Sequence, residues 1–283
     1  MKKYHILCLL ALLTVVACEN DIPEKAIGTM PITKVSINQK ITEVSKSFGT
    51  TASIVFVGGF GSELATWNKL YTELNPSATI FAYNRAGIGA SENIAGLRDA
   101  KTIATEMKVI LEANNIKPPY VLVAHSMGGI YARMFHHLNP SKVKGIVLVD
   151  ATHENQLETL LETLPKPDRA FAYQAMEAVN DSLLKTYPAG SVREEFRANF
   201  ATNYTQIRQF PAIKSIPLYV ITSTKVNDEN PPFVNDIKKS LHQQWALDAG
   251  SNGRFVQTNK SGHFIQIEEP KVVADGVRWI LAK

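Results

Sequence analysis

Residues 120–131, which read YVLVAHSMGGIY, decide the fold. The apolar first part predicts a buried strand, the last part opens a helix that continues to residue 138, and Ser126 stands at the turn between them. A turn this sharp leaves little room two residues before and two residues after the Ser. Gly128 and Ala124 occupy those positions with the smallest side chains. The stretch therefore predicts a strained strand–turn–helix with Ser126 at its tip.

The strained turn has a chemical use, and the pattern is typical of a nucleophile elbow. It lifts the Ser126 hydroxyl out of the sheet and leaves the N–H of Met127 free to hold an oxyanion. An oxyanion needs a second donor, and residues 58–61, which read GGFG, follow an apolar strand early in the chain. We expect this loop to supply the donor through the N–H of Phe60. The alternative is that its glycines only turn the chain.

A Ser hydroxyl is a poor nucleophile unless a neighbouring imidazole takes its proton. His263 follows the last predicted strand, residues 254–257, in a turn with Ser261 and Gly262. Sites of parallel sheets collect at such strand ends, so we predict that His263 is the base. The other histidines that follow residue 18 lie inside the elbow, on the helix behind it, or on cap and surface-helix segments: His125, His136, His137, His153 and His242.

Two carboxylates compete for the third position, which orients the imidazole. Asp150 directly follows the apolar run 143–149, one strand beyond the nucleophile. Asp228 comes late in the long loop that follows residues 217–222, which is the more frequent position for such an acid. We prefer Asp150 because it directly follows its strand, so that the strand holds it in a rigid position. Asp228 stays the alternative.

Strands and helices alternate along the chain, which indicates an α/β fold with a mostly parallel sheet and helices on both faces. The predicted strands are residues 32–39, 41–47, 53–57, 78–83, 120–123, 143–149, 217–222 and 254–257. The predicted helices are residues 64–74, 98–115, 130–138, 157–164, 171–184, 192–210, 233–248 and 268–281. Three of these helices fall between two sheet strands, so we read 152–215 as an inserted helical cap. The core would then comprise 32–151 and 216–283.

Composition sets limits on the function. The chain has 283 residues, of which 45% are hydrophobic and 20% charged, as in ordinary globular proteins. The net charge is +4, and Lys2 and Lys3 supply two of those charges. This gives no electrostatic argument for nucleic acid as a partner.

The first residues read as a processing segment. Residues 1–17 contain a charged start and an apolar run too short to span a membrane. The run ends in Val-Val-Ala before Cys18, which resembles the lipobox of bacterial lipoproteins. In that group the Cys is acylated and becomes the first residue, so residues 18–31 would be a tether. A plain secretory signal or a retained anchor helix are the alternatives.

Taken together, the motifs resemble the α/β-hydrolase family from about residue 32 onward. In that family a His-Gly loop, an Arg-Gly-x-Gly-x-Ser loop, the Ser elbow and a late Gly-His occur in this order. Here the elbow and Gly262-His263 match, residues 85–91 read RAGIGAS with one extra residue, and Gly58 stands where the family has His. Because the elbow carries Ser and not Asp, the likeness to haloalkane dehalogenases and epoxide hydrolases stops at the fold.

The resemblance implies a serine hydrolase that cleaves carboxylic ester or related acyl bonds of a small substrate, without metal or cofactor. The lipobox would place it in the bacterial cell envelope as a membrane-anchored lipoprotein, periplasmic or surface-facing. An amidase or iminopeptidase on the same triad is one alternative, for which Glu194-Glu195 would be a weak amine-binding pair on a solvated helix face. A non-catalytic binding protein is the other. Cap aromatics would line a substrate pocket or merely pack the cap: Phe171, Tyr173, Phe196, Phe200, Tyr204 and Phe210.

Overall fold

The computed structural model describes residues 30–49, 51–74, 78–199, 202–227 and 230–283. Within these ranges eight strands form one sheet in the order β1-β2-β4-β3-β5-β6-β7-β8. The strands are β1 (Ile32–Ile37), β2 (Lys40–Ser47), β3 (Ser53–Val57), β4 (Thr79–Tyr83), β5 (Tyr120–His125), β6 (Val143–Val149), β7 (Leu218–Ser223) and β8 (Gly253–Thr258).

The sheet is mostly parallel, which confirms the predicted fold class. β1 pairs antiparallel with β2, and β2 pairs antiparallel with β4. Every later pairing, from β4–β3 to β7–β8, is parallel. The central strands are mostly apolar and buried along their whole length because both of their faces are covered, whereas β1 and β8 lie at the edges and are only partly buried.

The helices are α1 (Asn68–Glu73), α2 (Ala100–Ala113), α3 (Gly128–Leu138), α4 (Gln156–Glu162), α5 (Lys166–Thr186), α6 (Ser191–Ala198), α7 (Thr202–Arg208), α8 (Pro232–Asp248), α9 (Ile265–Glu268) and α10 (Pro270–Leu281). The predicted helix 64–74 is a 3-10 turn, Leu64–Trp67, followed by α1, and three further predicted helices also differ. α5 starts earlier than residue 171 because Pro167 sits in its first turn, where no backbone N–H is needed. The predicted helix 192–210 is divided into α6 and α7, and 268–281 corresponds to the end of α9 and all of α10.

The core lies on both sides of the sheet. Alternate residues of β3 point to opposite faces: Val55 and Val57 pack under α2, α3 and α8, while Ile54 and Phe56 pack under α1 and α10. Helices α4 to α7 occupy the insert between β6 and β7, the region predicted as a cap. Among the described residues, no helix combines the length and apolar character needed to cross a membrane.

Candidate active site

The turn after β5 has the predicted strain. Ser126 adopts a left-handed backbone conformation with φ of 53°, which is uncommon for a residue with a side chain. Gly128 is required two residues later, because a Cβ there would overlap the carbonyl oxygen of Val57. Ala124 is fully buried, and its methyl group is accommodated beside Val57 of β3 and Leu148 of β6. The elbow thus forms with Ala in place of its first Gly.

The backbone N–H groups of Met127 and Phe60, both near Ser126, have no hydrogen-bond acceptor among the described residues. Met127 immediately precedes α3, where the first N–H groups have no partner within the helix. The loop that carries Phe60 passes close to the elbow, since a Cβ on Gly59 would lie 3.0 Å from the Cβ of Ser126. Both predicted oxyanion donors therefore lie beside the turn with free hydrogens.

Arg85 supports the loop that carries Phe60. Its Nη1 donates to the carbonyl oxygen of Gly58 at 2.7 Å, and its Nη2 donates to that of Gly59 at 2.6 Å. The guanidinium is held in turn by Glu195, with Nη2–Oε1 at 2.6 Å and Nε–Oε2 at 3.1 Å. An arginine thus supports the loop at whose start the family has a His and this chain has Gly58.

The expectation that Glu195 lies on a solvated helix face is wrong. Its side chain is 1% exposed and also accepts a hydrogen bond from the Tyr131 hydroxyl. Glu194, the preceding residue, is partly exposed and pairs with Arg197. A buried carboxylate that is already paired with Arg85 is not available to capture a substrate amine, so Glu194-Glu195 gives no support to the amidase or iminopeptidase alternative.

His263 and Asp150 are brought together from positions 113 residues apart. The Nδ1–H of His263 donates to Oδ2 of Asp150 at 2.8 Å. Asp150 is buried at the end of β6 with φ of 41°, whereas the His263 side chain is 41% exposed. The alternative acid, Asp228, lies outside the described residues. The geometry thus places a half-open imidazole on a rigid, enclosed carboxylate.

The Asp150 carboxylate has two further donors. The backbone N–H of Ser223 donates to Oδ1 at 3.0 Å, and the ammonium of Lys238, from α8, lies 3.1 Å from each oxygen. Burial alone would raise the pKa of Asp150. The charge of Lys238 and the hydrogen bond from His263 outweigh burial and hold that pKa well below its ordinary value. Asp150 is therefore ionised throughout the range in which a histidine titrates.

His263 also lies against the elbow itself. The Nε2–H of His125 donates to the backbone carbonyl of His263 at 2.9 Å, and the two rings are 4.5 Å apart. This fixes the His263 loop beside the residue that precedes Ser126. In the described structure no hydrogen bond joins the Ser126 hydroxyl to the His263 ring. Such bonds are often long in the absence of substrate and tighten when it binds.

Two histidines predicted to lie on cap or surface helices are in fact buried. His242 on α8 is fully buried, with Nε2–H donating to the Ala151 carbonyl and Nδ1 accepting from Thr222. Burial lowers its pKa to about 3. His153 is 5% exposed and stacks on Trp245. Neither is therefore a surface residue.

The insert contains a cavity of about 540 Å³ between α4, α5, α6 and α7. Its lining includes Tyr173, Met176, Phe196 and Tyr204. The ring of Phe196 also lies 5.6 Å from that of Phe60, but the cavity lining includes neither Ser126 nor His263. Of the other cap aromatics, Phe171 is 60% exposed and Phe210 stacks on His137, while Phe200 lies outside the described residues.

Sequence reasoning did not predict the supporting roles of Arg85, Glu195 and Lys238. A signal existed for Lys238, because it shares the buried face of α8 with Val234 and His242 at four-residue spacing. A charged residue on a stripe of buried residues indicates a buried partner. Across the described chain, no cluster of three or more His, Cys, Asp or Glu side chains could hold a metal ion.

Residues 52–270 match the model of the family described as alpha/beta hydrolase fold. The match covers most of the chain, which therefore belongs to this family. A relative from Bacillus subtilis strain 168, the uncharacterized protein YqjL, is 24% identical over 228 residues, which are 78% of this chain and 80% of YqjL.

Solved structures show the same fold at low sequence identity. A thermophilic esterase from Thermogutta terrifontis is 16% identical with a TM-score of 0.57, covering 89% of this chain and 98% of the esterase. Epoxide hydrolase VrEH1 from Vigna radiata is 14% identical with a TM-score of 0.64, covering 91% of this chain and 99% of VrEH1. Since one fold carries both activities, the chemistry of this chain must be argued from its own site.

Proposed function

We propose that this chain is a serine hydrolase that cleaves carboxylic ester or related acyl bonds of a small substrate. The observation that carries the proposal is the hydrogen bond from His263 to the ionised Asp150 on a loop fixed beside the strained Ser126. An imidazole held in this way keeps its Nδ1 proton and leaves Nε2 free to accept another.

The reaction would proceed in two steps, acylation of Ser126 and then hydrolysis of the acyl-enzyme. Ser126 Oγ forms a bond to the substrate carbonyl carbon while its proton passes to Nε2 of His263. The N–H groups of Met127 and Phe60 hold the resulting oxyanion. When the intermediate collapses, the carbon–oxygen bond to the leaving alcohol breaks and His263 returns the proton to that alcohol. Water then repeats the sequence on the acyl-enzyme and releases the acid.

The helices between β6 and β7 would act as a cap that limits substrate shape. The cavity of about 540 Å³ has the size of an ordinary small-molecule pocket. Its lining combines apolar and charged side chains and does not include Ser126 or His263, so it would hold a part of the substrate away from the reacting bond. The Thermogutta terrifontis protein is an esterase, which agrees with this choice of reaction, although the likeness to it concerns the fold.

Turnover of short p-nitrophenyl esters by the purified protein tests the proposal. Ser126→Ala should lower kcat by about 10⁴-fold or more, because the nucleophile is lost. An unchanged circular dichroism spectrum and melting temperature would show that the fold is retained. Equal turnover by the wild type and Ser126→Ala would refute the mechanism. A parallel panel of aminoacyl-naphthylamides separates esterase from amidase activity.

We also propose that Cys18 is acylated and anchors the protein to a membrane of the bacterial cell envelope. The support is the apolar segment that ends in Val-Val-Ala-Cys, and several acyl chains give a stable anchor where one does not. Wild-type protein should partition into detergent and incorporate labelled palmitate. Cys18→Ala should lose the label, and a label retained by this variant would contradict the proposal.

A further inference from the structure

Lys238 is a buried cation in contact with the candidate triad. Its side chain is 8% exposed, and its Nζ lies 3.1 Å from both oxygens of Asp150. In the described structure no other lysine or arginine side chain pairs with this carboxylate. Lysine is seldom this deeply buried unless it is paired, so the contact with Asp150 explains its position.

The contact between Lys238 and Asp150 changes how strongly the carboxylate stabilises a protonated His263 ring. A triad carboxylate stabilises the positive imidazolium that forms when His263 takes the Ser126 proton. A second positive charge on the same carboxylate opposes that stabilisation. The same cation favours the ionised, correctly oriented carboxylate that holds the Nδ1 proton. Lys238 therefore both fixes Asp150 and weakens its pull on a proton at His263.

We propose that Lys238 is a positioning residue that extends the activity of this site toward lower pH by favouring the neutral form of His263. This inference rests on the proposed serine hydrolase function. Neutral His263 is the form that accepts the Ser126 proton, so the acid limb of the rate profile reports its fraction.

Other titratable groups around His263 do not replace Lys238 in this role. His125, whose ring lies 4.5 Å from that of His263, is buried, and burial lowers its pKa to about 3. His242 is neutral in the same range for the same reason. Both are therefore neutral at mildly acidic and at neutral pH.

Groups on the loop beside His263 form a solvent-accessible set. Glu268 accepts a hydrogen bond from the Gly262 N–H and pairs with Lys225 at 3.8 Å. Glu269 accepts hydrogen bonds from the hydroxyls of Thr258 and Ser261. Because these charges are at least partly exposed, solvent and salt screen them more than the buried Lys238.

The test compares the full-length wild type with Lys238→Gln, Lys238→Arg and the matched control Lys239→Gln, which removes the neighbouring lysine. We measure kcat/KM for a p-nitrophenyl ester against pH. In Lys238→Gln the midpoint of the acid limb should move up by about one pH unit, since an uncompensated carboxylate stabilises imidazolium more strongly. Lys238→Arg and Lys239→Gln should keep the wild-type midpoint.

A second measurement does not depend on turnover. The ring of His263, followed by NMR in protein with labelled histidine, should show the same upward shift of its titration midpoint in Lys238→Gln. If Lys238→Gln prevents folding, Lys238→Met, with an unbranched side chain of similar length, takes its place. The NMR shift without any ester turnover by the wild type would count against the proposed function and not against this role of Lys238.

Three results would overturn the proposal. One is a Lys238→Gln acid limb that coincides with that of the wild type while the rate falls equally at every pH, which indicates a merely structural role. The second is a shift of the same size in Lys239→Gln, which indicates a long-range charge effect. The third is a Lys238→Arg midpoint that moves with that of Lys238→Gln, which indicates that charge is not the cause.

Discussion

Two buried ion pairs support two parts of the candidate site, and they differ in where their partners come from. Asp150–Lys238 joins the end of β6 to α8, and both elements belong to the sheet core. Arg85–Glu195 joins the loop after β4 to α6, a helix of the insert. The part of the site with His263 and Asp150, here called the histidine side, is therefore held by the core alone. The part with the loop of Gly58 to Phe60, which we propose to bind the oxyanion and call the oxyanion side, is held by the insert. Changes in the insert should alter the oxyanion loop and spare the His263–Asp150 contact.

The largest effect is expected on the histidine side, from Asp150→Asn. Loss of the carboxylate should lower kcat by about 10³- to 10⁴-fold, because the imidazolium is no longer stabilised and the tautomer is no longer fixed. It also leaves Lys238 buried without a partner, which should reduce the free energy of unfolding by about 3–5 kcal/mol. Steady-state kinetics and urea denaturation measure the two effects.

The competing acid provides the control. Asp228→Asn should leave kcat within about twofold of the wild type, since His263 already bonds to Asp150. The reverse outcome, an active Asp150→Asn and an inactive Asp228→Asn, would assign the triad to the alternative residue.

A smaller effect is expected on the oxyanion side, from Glu195→Gln. Without the carboxylate, Arg85 holds the Gly58 and Gly59 carbonyls less firmly, and the Phe60 N–H is less well aimed. Loss of one aligned oxyanion donor costs about 10²- to 10³-fold in kcat, so partial misalignment should cost about 10- to 100-fold. Affinity for a trifluoromethyl ketone, which forms an oxyanion at the site, should fall by a similar factor while KM changes little.

Glu194→Gln is the matched control, because it removes the adjacent carboxylate of the same helix and only a surface pair with Arg197. It should change kcat and stability little. If Glu194→Gln and Glu195→Gln had equal effects, the link between the insert and the oxyanion loop would have no functional consequence.

The smallest effect concerns the free energy of unfolding at acid pH, which we expect to depend on His242 of α8, the helix that also carries Lys238. His242 has its pKa lowered by burial from 6.5 to about 3, so the unfolded chain binds its proton first as the pH falls. Stability from this group is present above the unfolded pKa and is lost as the pH falls toward the folded pKa. Between pH 6.5 and pH 5 this amounts to about 2 kcal/mol. His242→Asn should be less stable at neutral pH but less sensitive to acid over this interval. An equal slope in both proteins would contradict the assignment.

The contrast between the two pairs also shows what could be predicted from the sequence. The elbow and the His263 loop follow local rules, in which small residues around Ser126 and a turn after the last strand suffice. Asp150 follows from its place at the end of β6. Glu195 could not be predicted, because its partner Arg85 lies 110 residues away and a Glu in a short polar helix is ordinarily solvated. The pair of Asp150 and Lys238 was equally hard to predict, because its members lie 88 residues apart. The position of Lys238 among the buried residues of α8 did indicate a buried partner.

The central claim is that Ser126 is a nucleophile activated by His263. Intact-protein mass spectrometry after treatment with a fluorophosphonate tests it most directly, with peptide mapping to locate the adduct. The account predicts one adduct, on Ser126, that forms rapidly in the wild type, about 10³-fold or more slowly in His263→Gln, and not at all in Ser126→Ala. An adduct on another residue, or labelling of Ser126 at the same rate without His263, would contradict it.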